Sequence, residues 1–117
     1  MTATNPVLRH ASIMLERASK KQKSPIWMEA SSLLSNPASL RVEVNLGRIS
    51  RIAGDGEAVF VPGKVLGTGV MGRKLTVGAF AFSAGAKSKI EASGGSALTI
   101  GEFLKKYPKG SGVRLVK

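Results

Sequence analysis

The sequence predicts one α/β domain in which helices come first and short strands with further helices follow. In residues 1–54, apolar residues recur at helical spacing behind proline-containing start signals. In residues 55–117, short runs of alternating apolar and β-branched residues lie between glycines. A length of 117 residues with 43% hydrophobic residues suffices for a single modest core. We therefore predict one compact domain with an N-terminal helical segment, 1–54, and an α/β core, 55–117.

Three helices are predicted in the first half. Asn5-Pro6 begins the first, with Asn as cap and Pro at the first helical position, and Lys20, Lys21 and Lys23 follow near its end. Ser24-Pro25 begins the second, which is expected to stop before Asn36-Pro37. The third is predicted within SLRVEVNLGRISRIAG. Its apolar stripe comprises Val42, Leu46, Ile49 and Ala53, and its other faces carry Arg41, Asn45, Arg48 and Arg51.

The second half is predicted to run strand, strand, helix, strand, helix, strand. A strand from Ala58 to Val61 is expected to break at Pro62-Gly63 and resume at Val65-Leu66, and a further strand spans Leu75 to Phe82. Ser83 is the predicted cap of a helix that ends at Gly94-Gly95. Thr99 and Glu102 have the spacing of a capping box at the start of the last helix, which Pro108 ends before a strand from Val113 to Val116.

The segment GTGVMG matches the pattern G-x-G-x-x-G at Gly67, Gly69 and Gly72. In dinucleotide-binding folds this pattern follows a strand and opens a helix, whose N-terminus receives the phosphates. Here RKLTVGAFAF follows, and its alternation predicts a strand instead of a helix. We therefore predict that these glycines supply positive φ angles in a strand-to-strand connection and do not form a nucleotide site.

The charge indicates a polyanionic partner. Eighteen Lys and Arg residues against seven Asp and Glu residues give a net charge of +11, which exceeds what solubility requires. The excess is spread over the chain, with eight basic and three acidic residues before Gly54 and ten and four after it. In the third predicted helix Glu43 alone balances the arginines, whose planar guanidinium suits phosphate, so this helix is expected to face RNA or to be a solvated surface.

The chain lacks the residues that several classes of protein need for their function. The chain has no cysteine, one histidine (His10) and one aspartate (Asp55), so no metal set, carboxylate pair or nucleophile triad can be read from spacing. We predict no enzymatic activity, no metal, no cofactor and no small-molecule substrate. His10 is expected to be a surface or satisfied helix residue, or to contact RNA beside Arg9. Trp27 is expected in the core instead of stacking on a base.

The sequence also indicates the cellular compartment and the kind of nucleic acid that the protein binds. It contains no secretory signal, no bilayer-length apolar run and no cysteine, which predicts a cytoplasmic protein without a membrane partner. No zipper, zinc finger or clean helix-turn-helix pattern occurs, and one Trp, one Tyr and four Phe are too few for a stacking platform. Recognition of a structured RNA by shape and backbone is the predicted mode.

The glycine segment and its neighbours resemble a ribosomal protein signature. Three stretches look like the motif shared by large-subunit ribosomal proteins fifteen and eighteen-e. They are KVLGxG at Lys64 to Gly69, Leu75-x-Val77, and Phe82-Ser83 followed by Ala86, Ile90 and Gly94. Three further stretches and the length favour the archaeal and eukaryotic eighteen-e family. The stretches are Thr4-Asn5-Pro6, VNLGRI at Val44 to Ile49 and VPGKVLG at Val61 to Gly67.

The resemblance implies a core of irregular strand-strand-helix superhelical turns behind N-terminal helices. It further implies a structural, non-catalytic component that binds large-subunit ribosomal RNA beside neighbouring ribosomal proteins in the cytoplasmic ribosome. The RNA contacts expected on this basis are cations with a few polar and glycine residues: Arg9, His10, Arg17, Lys20, Lys21, Lys23, Arg41, Asn45, Arg48, Arg51, Lys64, Gly67, Gly69, Arg73 and Lys74.

Two other hypotheses stay open from the residues alone. A DNA-binding architectural protein is the first, because basic charge does not separate DNA from RNA. A nucleotide-dependent enzyme resting on GTGVMG is the second.

Overall fold

The computed structural model describes residues 6–35 and 42–117, which form five helices and five strands. In chain order these are α1 (Pro6–Gln22), α2 (Pro25–Leu34), β1 (Val42–Asn45), α3 (Leu46–Ile52), β2 (Ala58–Leu66), β3 (Thr76–Phe82), α4 (Ala84–Ala92), β4 (Ser96–Leu98), α5 (Ile100–Lys106) and β5 (Val113–Leu115). The predicted mixed α/β fold is confirmed. Asn5, Asn36-Pro37 and Arg41, to which predictions were attached, lie outside the described residues.

The strands form one parallel sheet in the order β1-β2-β3-β4. One edge of β2 is shared between two strands. Its first residues, Ala58 to Phe60, pair with β5, and its last, Gly63 to Leu66, pair with β1. Because both pairings are parallel, the carboxyl ends of β1 and β2 lie side by side.

Alternate residues of β2 enter two separate cores. Val59 and Val61 pack with α3, α4 and parts of β1 and β3, whereas Ala58 and Phe60 pack with α1, α2 and α5. Successive strand residues point to opposite faces of a sheet. The helices therefore cover both faces, with α3 and α4 on one and α1, α2 and α5 on the other.

The second of these cores is built on aromatic contacts. Trp27 is fully buried and meets Phe60 and Phe103 edge-on, at centroid distances of 5.2 and 6.0 Å. Its indole N–H donates to the Pro108 carbonyl at 2.9 Å, so the polar atom is satisfied. The prediction that Trp27 is a core residue is confirmed.

The caps predicted in the second half are present. The Ser83 hydroxyl accepts the Ala86 N–H at 3.1 Å at the start of α4, and Thr99 and Glu102 form the reciprocal capping box of α5. Ser24 does occupy the N-cap position of α2, but its hydroxyl forms no cap bond. It donates instead to the Lys109 carbonyl at 2.7 Å, a partner 85 residues away that helix-start rules could not indicate.

The predicted third helix is wrong over its first half. Val42 to Asn45 form β1, and the helix begins only at Leu46. Gly63 explains the pairing, because a Cβ there would lie 2.0 Å from the Val42 carbonyl oxygen. The close approach of β2 therefore selects strand geometry for a segment that also fits a helical pattern. Leu46, Ile49 and Ala53 are buried as the predicted stripe requires.

The predicted break at Pro62-Gly63 is also wrong, since β2 runs from Ala58 to Leu66 without interruption. Proline is tolerated because its missing N–H falls between the residues that pair with β5 and those that pair with β1. On the β3 side the register shifts between Val61 and Lys64, so the irregularity is absorbed as a bulge.

Candidate nucleic-acid interface

The glycine loop, residues 67–75, joins β2 to β3, as the sequence predicts. No helix opens at its glycines, so the nucleotide-binding context is absent. Gly69 has a φ of +98°, whereas Gly67 and Gly72 are not among the glycines with positive φ in the described residues. The prediction of positive φ is therefore confirmed at Gly69 and wrong at Gly67 and Gly72.

Close backbone approaches explain two of the three glycines. A Cβ on Gly67 would lie 2.9 Å from the Ala86 nitrogen, and a Cβ on Gly69 would lie 2.7 Å from the Gly47 Cα. Gly72 has no atom within 4 Å of such a Cβ. The Gly47 N–H also donates to the Thr68 carbonyl at 3.1 Å, so the loop is fastened to the start of α3.

Lys89 is a residue of this site that the sequence did not reveal. Its ammonium group, on α4, donates to the carbonyl oxygens of Gly67 at 2.6 Å and Gly69 at 2.9 Å. Two loop carbonyls that would otherwise repel phosphate are therefore paired with a cation. No motif relates Lys89 to glycines 20 and 22 residues earlier, and only the packing of α4 beside the loop reveals the contact.

The structure brings α3 and the glycine loop together around a surface cleft of about 360 Å³. Four predicted RNA contacts line it: Asn45, Arg48, Arg51 and Gly69. The other lining residues are Glu43, Val44, Gly47 and Thr68. Residues up to 26 positions apart thus form one site, which we call the glycine-loop cleft.

The polar groups of this cleft differ in how they are engaged. The Arg48 guanidinium donates to the Lys117 backbone oxygen at 3.2 Å. Arg51 is exposed and forms neither a hydrogen bond nor an ion pair with any described residue. Asn45 is the N-cap residue of α3, yet its side chain forms no cap bond. Arg51 and the Asn45 amide are consequently available to a ligand.

The three cations predicted around the loop lie on the loop itself or on β2, and none of them lines the cleft. The Arg73 side chain donates to the Ser50 carbonyl of α3 at 2.8 Å, and the backbone N–H of Lys74 donates to the Asp55 carboxylate at 3.1 Å. Lys64 lies within β2 instead of opening the loop, and its register partner on β1 is Glu43. All three cations are exposed.

The remaining predicted contacts form a separate group on α1 and just after it. They are all exposed: Arg9, His10, Arg17, Lys20, Lys21 and Lys23. Lys20 pairs with Glu16 at 3.2 Å. Because α1 and α3 cover opposite faces of the sheet, this group and the glycine-loop cleft are not parts of one patch.

Few of the cations are neutralised within the described ranges. Three ion pairs occur there, Lys20–Glu16, Arg114–Glu57 and Lys117–Glu29. A bond from the Gly54 backbone N–H, followed by one from the Arg114 side chain, lowers the pKa of Glu57 below its ordinary value. The carboxylate stays ionised, but seven acids cannot balance eighteen bases.

Two further features bear on function. Among residues 6–35 and 42–117, no three His, Cys, Asp or Glu side chains are grouped as a metal ion would require. In the same ranges no helix is both long and apolar enough to cross a bilayer.

Comparison with known proteins identifies the family. A family model described as ribosomal proteins 50S-L15, 50S-L18e and 60S-L27a matches residues 43–98. The chain is similar to large ribosomal subunit protein eL18 of Methanococcus maripaludis, with 45% identity over 114 residues, 97% of this chain and 95% of that protein. The protein of that name from Archaeoglobus fulgidus is 43% identical over 116 residues, 99% of each chain, and that from Halobacterium salinarum is 36% identical over 117 residues, all of each chain. These matches confirm the resemblance found in the sequence, and the chain belongs to the archaeal-type eL18 family of large ribosomal subunit proteins.

Proposed function

We propose that this chain is a structural constituent of the large ribosomal subunit that binds ribosomal RNA through Lys and Arg contacts to phosphate and through the glycine loop. Its partners are large-subunit ribosomal RNA and neighbouring ribosomal proteins, and its place is within the cytoplasmic ribosome. By binding the RNA it supports subunit assembly and translation. Membership of a ribosomal protein family, whose members are structural components, confirms the prediction that the chain is not an enzyme.

The observation that carries the proposal is the uncompensated positive charge on both faces of the fold. The net charge is +11, and only three ion pairs form among the described residues. Self-repulsion of this size opposes a compact state until an anion neutralises it. Cations on α1 and at the glycine-loop cleft, on opposite faces of the sheet, suit a protein that lies between RNA segments.

The mechanism is electrostatic with a contribution from shape. Each phosphate that meets a lysine or arginine releases a condensed counterion, so affinity falls with salt by a log-log slope of roughly 0.7 to 0.9 per contact. Backbone exposed at glycines approaches RNA more closely than side-chain-bearing residues permit. Exposed arginines such as Arg51 add bidentate phosphate bonds.

Salt-dependent binding to large-subunit ribosomal RNA of Methanococcus maripaludis tests the proposal. The double variant Arg48→Gln, Arg51→Gln should bind more weakly and lower the salt slope by about 2, since each phosphate contact contributes about 1. The matched control, Arg114→Gln with Lys117→Gln, removes the same charge from side chains already paired with Glu57 and Glu29. It should change the slope by less than about 1.

Competition with duplex DNA distinguishes the proposed function from the main alternative, a DNA-binding architectural protein. Ribosomal RNA should bind at least tenfold more tightly than a duplex of equal length at about 0.15 M salt. Equal affinity for both would favour a DNA-binding architectural protein. Absence of the chain from large subunits isolated on sucrose gradients would refute the ribosomal assignment.

A further inference from the structure

We propose that the glycine-loop cleft binds one unpaired guanine nucleotide of the RNA, with Glu43 and Asn45 on the base edge and Arg48 and Arg51 on the phosphate. This inference rests on the proposed function, because it names the RNA feature that one part of the basic surface recognises. The α1 cations and the loop lysines would then supply affinity without reading a base.

The position of the cleft favours a ligand. Asn45 is the last residue of β1, and Thr68 and Gly69 follow shortly after β2, so the cleft lies at the carboxyl ends of two adjacent parallel strands. The loops that follow parallel strands meet at this edge of the sheet, so residues from α3 and from the glycine loop come together there. A volume of about 360 Å³ is near the lower end of the roughly 300–1,000 Å³ that small-ligand sites span. This volume is large enough for the base of one nucleotide.

Glu43 and Asn45 are placed to act on the same group. They flank the buried Val44 on β1, so their side chains share the face of the strand opposite to Val44, and both residues are among those that line the cleft. Both are exposed, and neither side chain forms a hydrogen bond or an ion pair with a described residue. At an N-cap position the asparagine amide usually bonds to a helix N–H. Here it is left free beside a carboxylate.

The hydrogen-bonding capacities of these two side chains select the base. An ionised glutamate only accepts, whereas an asparagine amide both donates and accepts. The Watson–Crick edge of guanine presents two adjacent donors, N1–H and N2–H, next to the O6 acceptor. The other three bases present no pair of adjacent donors on that edge. An unpaired nucleotide leaves the edge free for a protein, as in most sequence-specific RNA recognition.

The remaining lining groups suit the sugar and phosphate. Arg48 and Arg51 lie three residues apart on α3 and both line the cleft, and a guanidinium plane binds phosphate or stacks on a base. Gly47 and Gly69 leave bare backbone there, and their chains are so close that a Cβ on Gly69 would meet the Gly47 nitrogen at 2.7 Å. Two arginines against one glutamate keep the cleft net positive, as a nucleotide phosphate requires.

Chemical probing of this chain bound to Methanococcus maripaludis large-subunit ribosomal RNA tests the inference. Kethoxal modifies guanine at N1 and N2, so the bound guanine should be protected in the wild-type complex. Glu43→Gln and Asn45→Ala should each restore modification of that guanine and weaken binding by about tenfold, the effect of losing one good base contact. Protections elsewhere should persist in both variants.

The matched control is Glu91→Gln on α4, an exposed carboxylate outside the cleft that forms no hydrogen bond or ion pair with described residues. It should leave the guanine protected. Thermal unfolding of each variant identifies any loss that comes from misfolding. A wild-type footprint that neither Glu43→Gln nor Asn45→Ala alters would overturn the inference and leave the proposed function standing. A complex that binds with the expected salt dependence but protects no guanine would likewise overturn only the inference. Failure of the wild-type protein to bind the RNA at all would refute both.

Discussion

Gly69 is the residue at which the glycine pattern has a definite physical cause. Its φ of +98° is a conformation that only glycine adopts without strain, and its backbone lies against Gly47. The pattern G-x-G-x-x-G thus combines two unrelated requirements, a close approach to α4 at Gly67 and a positive φ at Gly69, with a position, Gly72, at which no neighbouring atom requires glycine. A letter pattern cannot distinguish them, because each depends on what lies opposite in space.

Substitution at these positions should separate the requirements. Gly69→Ala should lower the free energy of unfolding by at least about 2 kcal/mol, since it strains the backbone and drives a Cβ into Gly47. Gly72→Ala should change it by no more than about 0.5 kcal/mol, because nothing lies within 4 Å of the new methyl group. Urea unfolding of both variants measures the difference. Equal losses would contradict the assigned role of Gly69.

Local signals predicted some elements well and others poorly, and the difference lies in where their hydrogen bonds go. In α5 the cap bonds join Thr99 to Glu102, three residues apart, so the sequence shows them directly. In β1 the backbone bonds go to β2, about twenty residues later, and Val42 to Asn45 was mistaken for helix. An element whose backbone hydrogen bonds are made within itself can be predicted from neighbouring residues. A strand makes its backbone hydrogen bonds with another strand, which lies elsewhere in the sequence.

The capping box predicts a dependence of stability on pH. Bonds from the Thr99 backbone N–H and then its hydroxyl lower the pKa of Glu102 below its ordinary value of 4.5. A carboxyl group with a lowered pKa in the folded state stabilises the fold above its unfolded pKa, and this contribution is lost as the pH falls through the folded pKa. Glu102→Gln should therefore destabilise the protein at pH 7 and progressively less below about pH 4.5.

Urea unfolding of wild type and Glu102→Gln between about pH 3 and pH 7 measures this effect. Thr99→Ala, which removes the hydroxyl, should cost about 1 kcal/mol at pH 7. A wild-type to Glu102→Gln difference that stays constant over the whole pH interval would show that the capping carboxylate contributes nothing through its charge.

The whole molecule is shaped by its excess of positive charge. It measures 39 × 30 × 19 Å, which is comparable to the Debye length of about 30 Å at 0.01 M salt, so cations on its two faces repel one another at low salt. Composition alone predicted this repulsion and the class of partner. Only the packed structure shows that the cations lie on two faces of the sheet, with α1 on one and the glycine-loop cleft on the other.

Added salt should stabilise the free protein by screening this repulsion. Raising NaCl from about 0.01 M to about 0.5 M should increase the free energy of unfolding by on the order of 1 kcal/mol, or about 4 °C in the thermal midpoint. The double variant Arg9→Gln, Arg17→Gln lowers the net charge by two at exposed α1 positions that lie outside its last turn and have no ion-pair partners in the described ranges. It should be more stable than wild type at low salt and less sensitive to salt. A wild-type midpoint that falls as NaCl is added would contradict the repulsion argument.

The amino-acid order was enough to establish the helices with caps near in sequence, the mixed α/β class, the basic surface and the family, because each depends on spacing or composition. The packed fold alone decided that β1 is a strand, that β2 passes through Pro62-Gly63, that Lys89 pairs with the loop carbonyls, and that Asn45, Arg48 and Arg51 meet Gly69 around one cleft. These features depend on contacts between residues distant in the chain, for which neighbouring residues carry no signal.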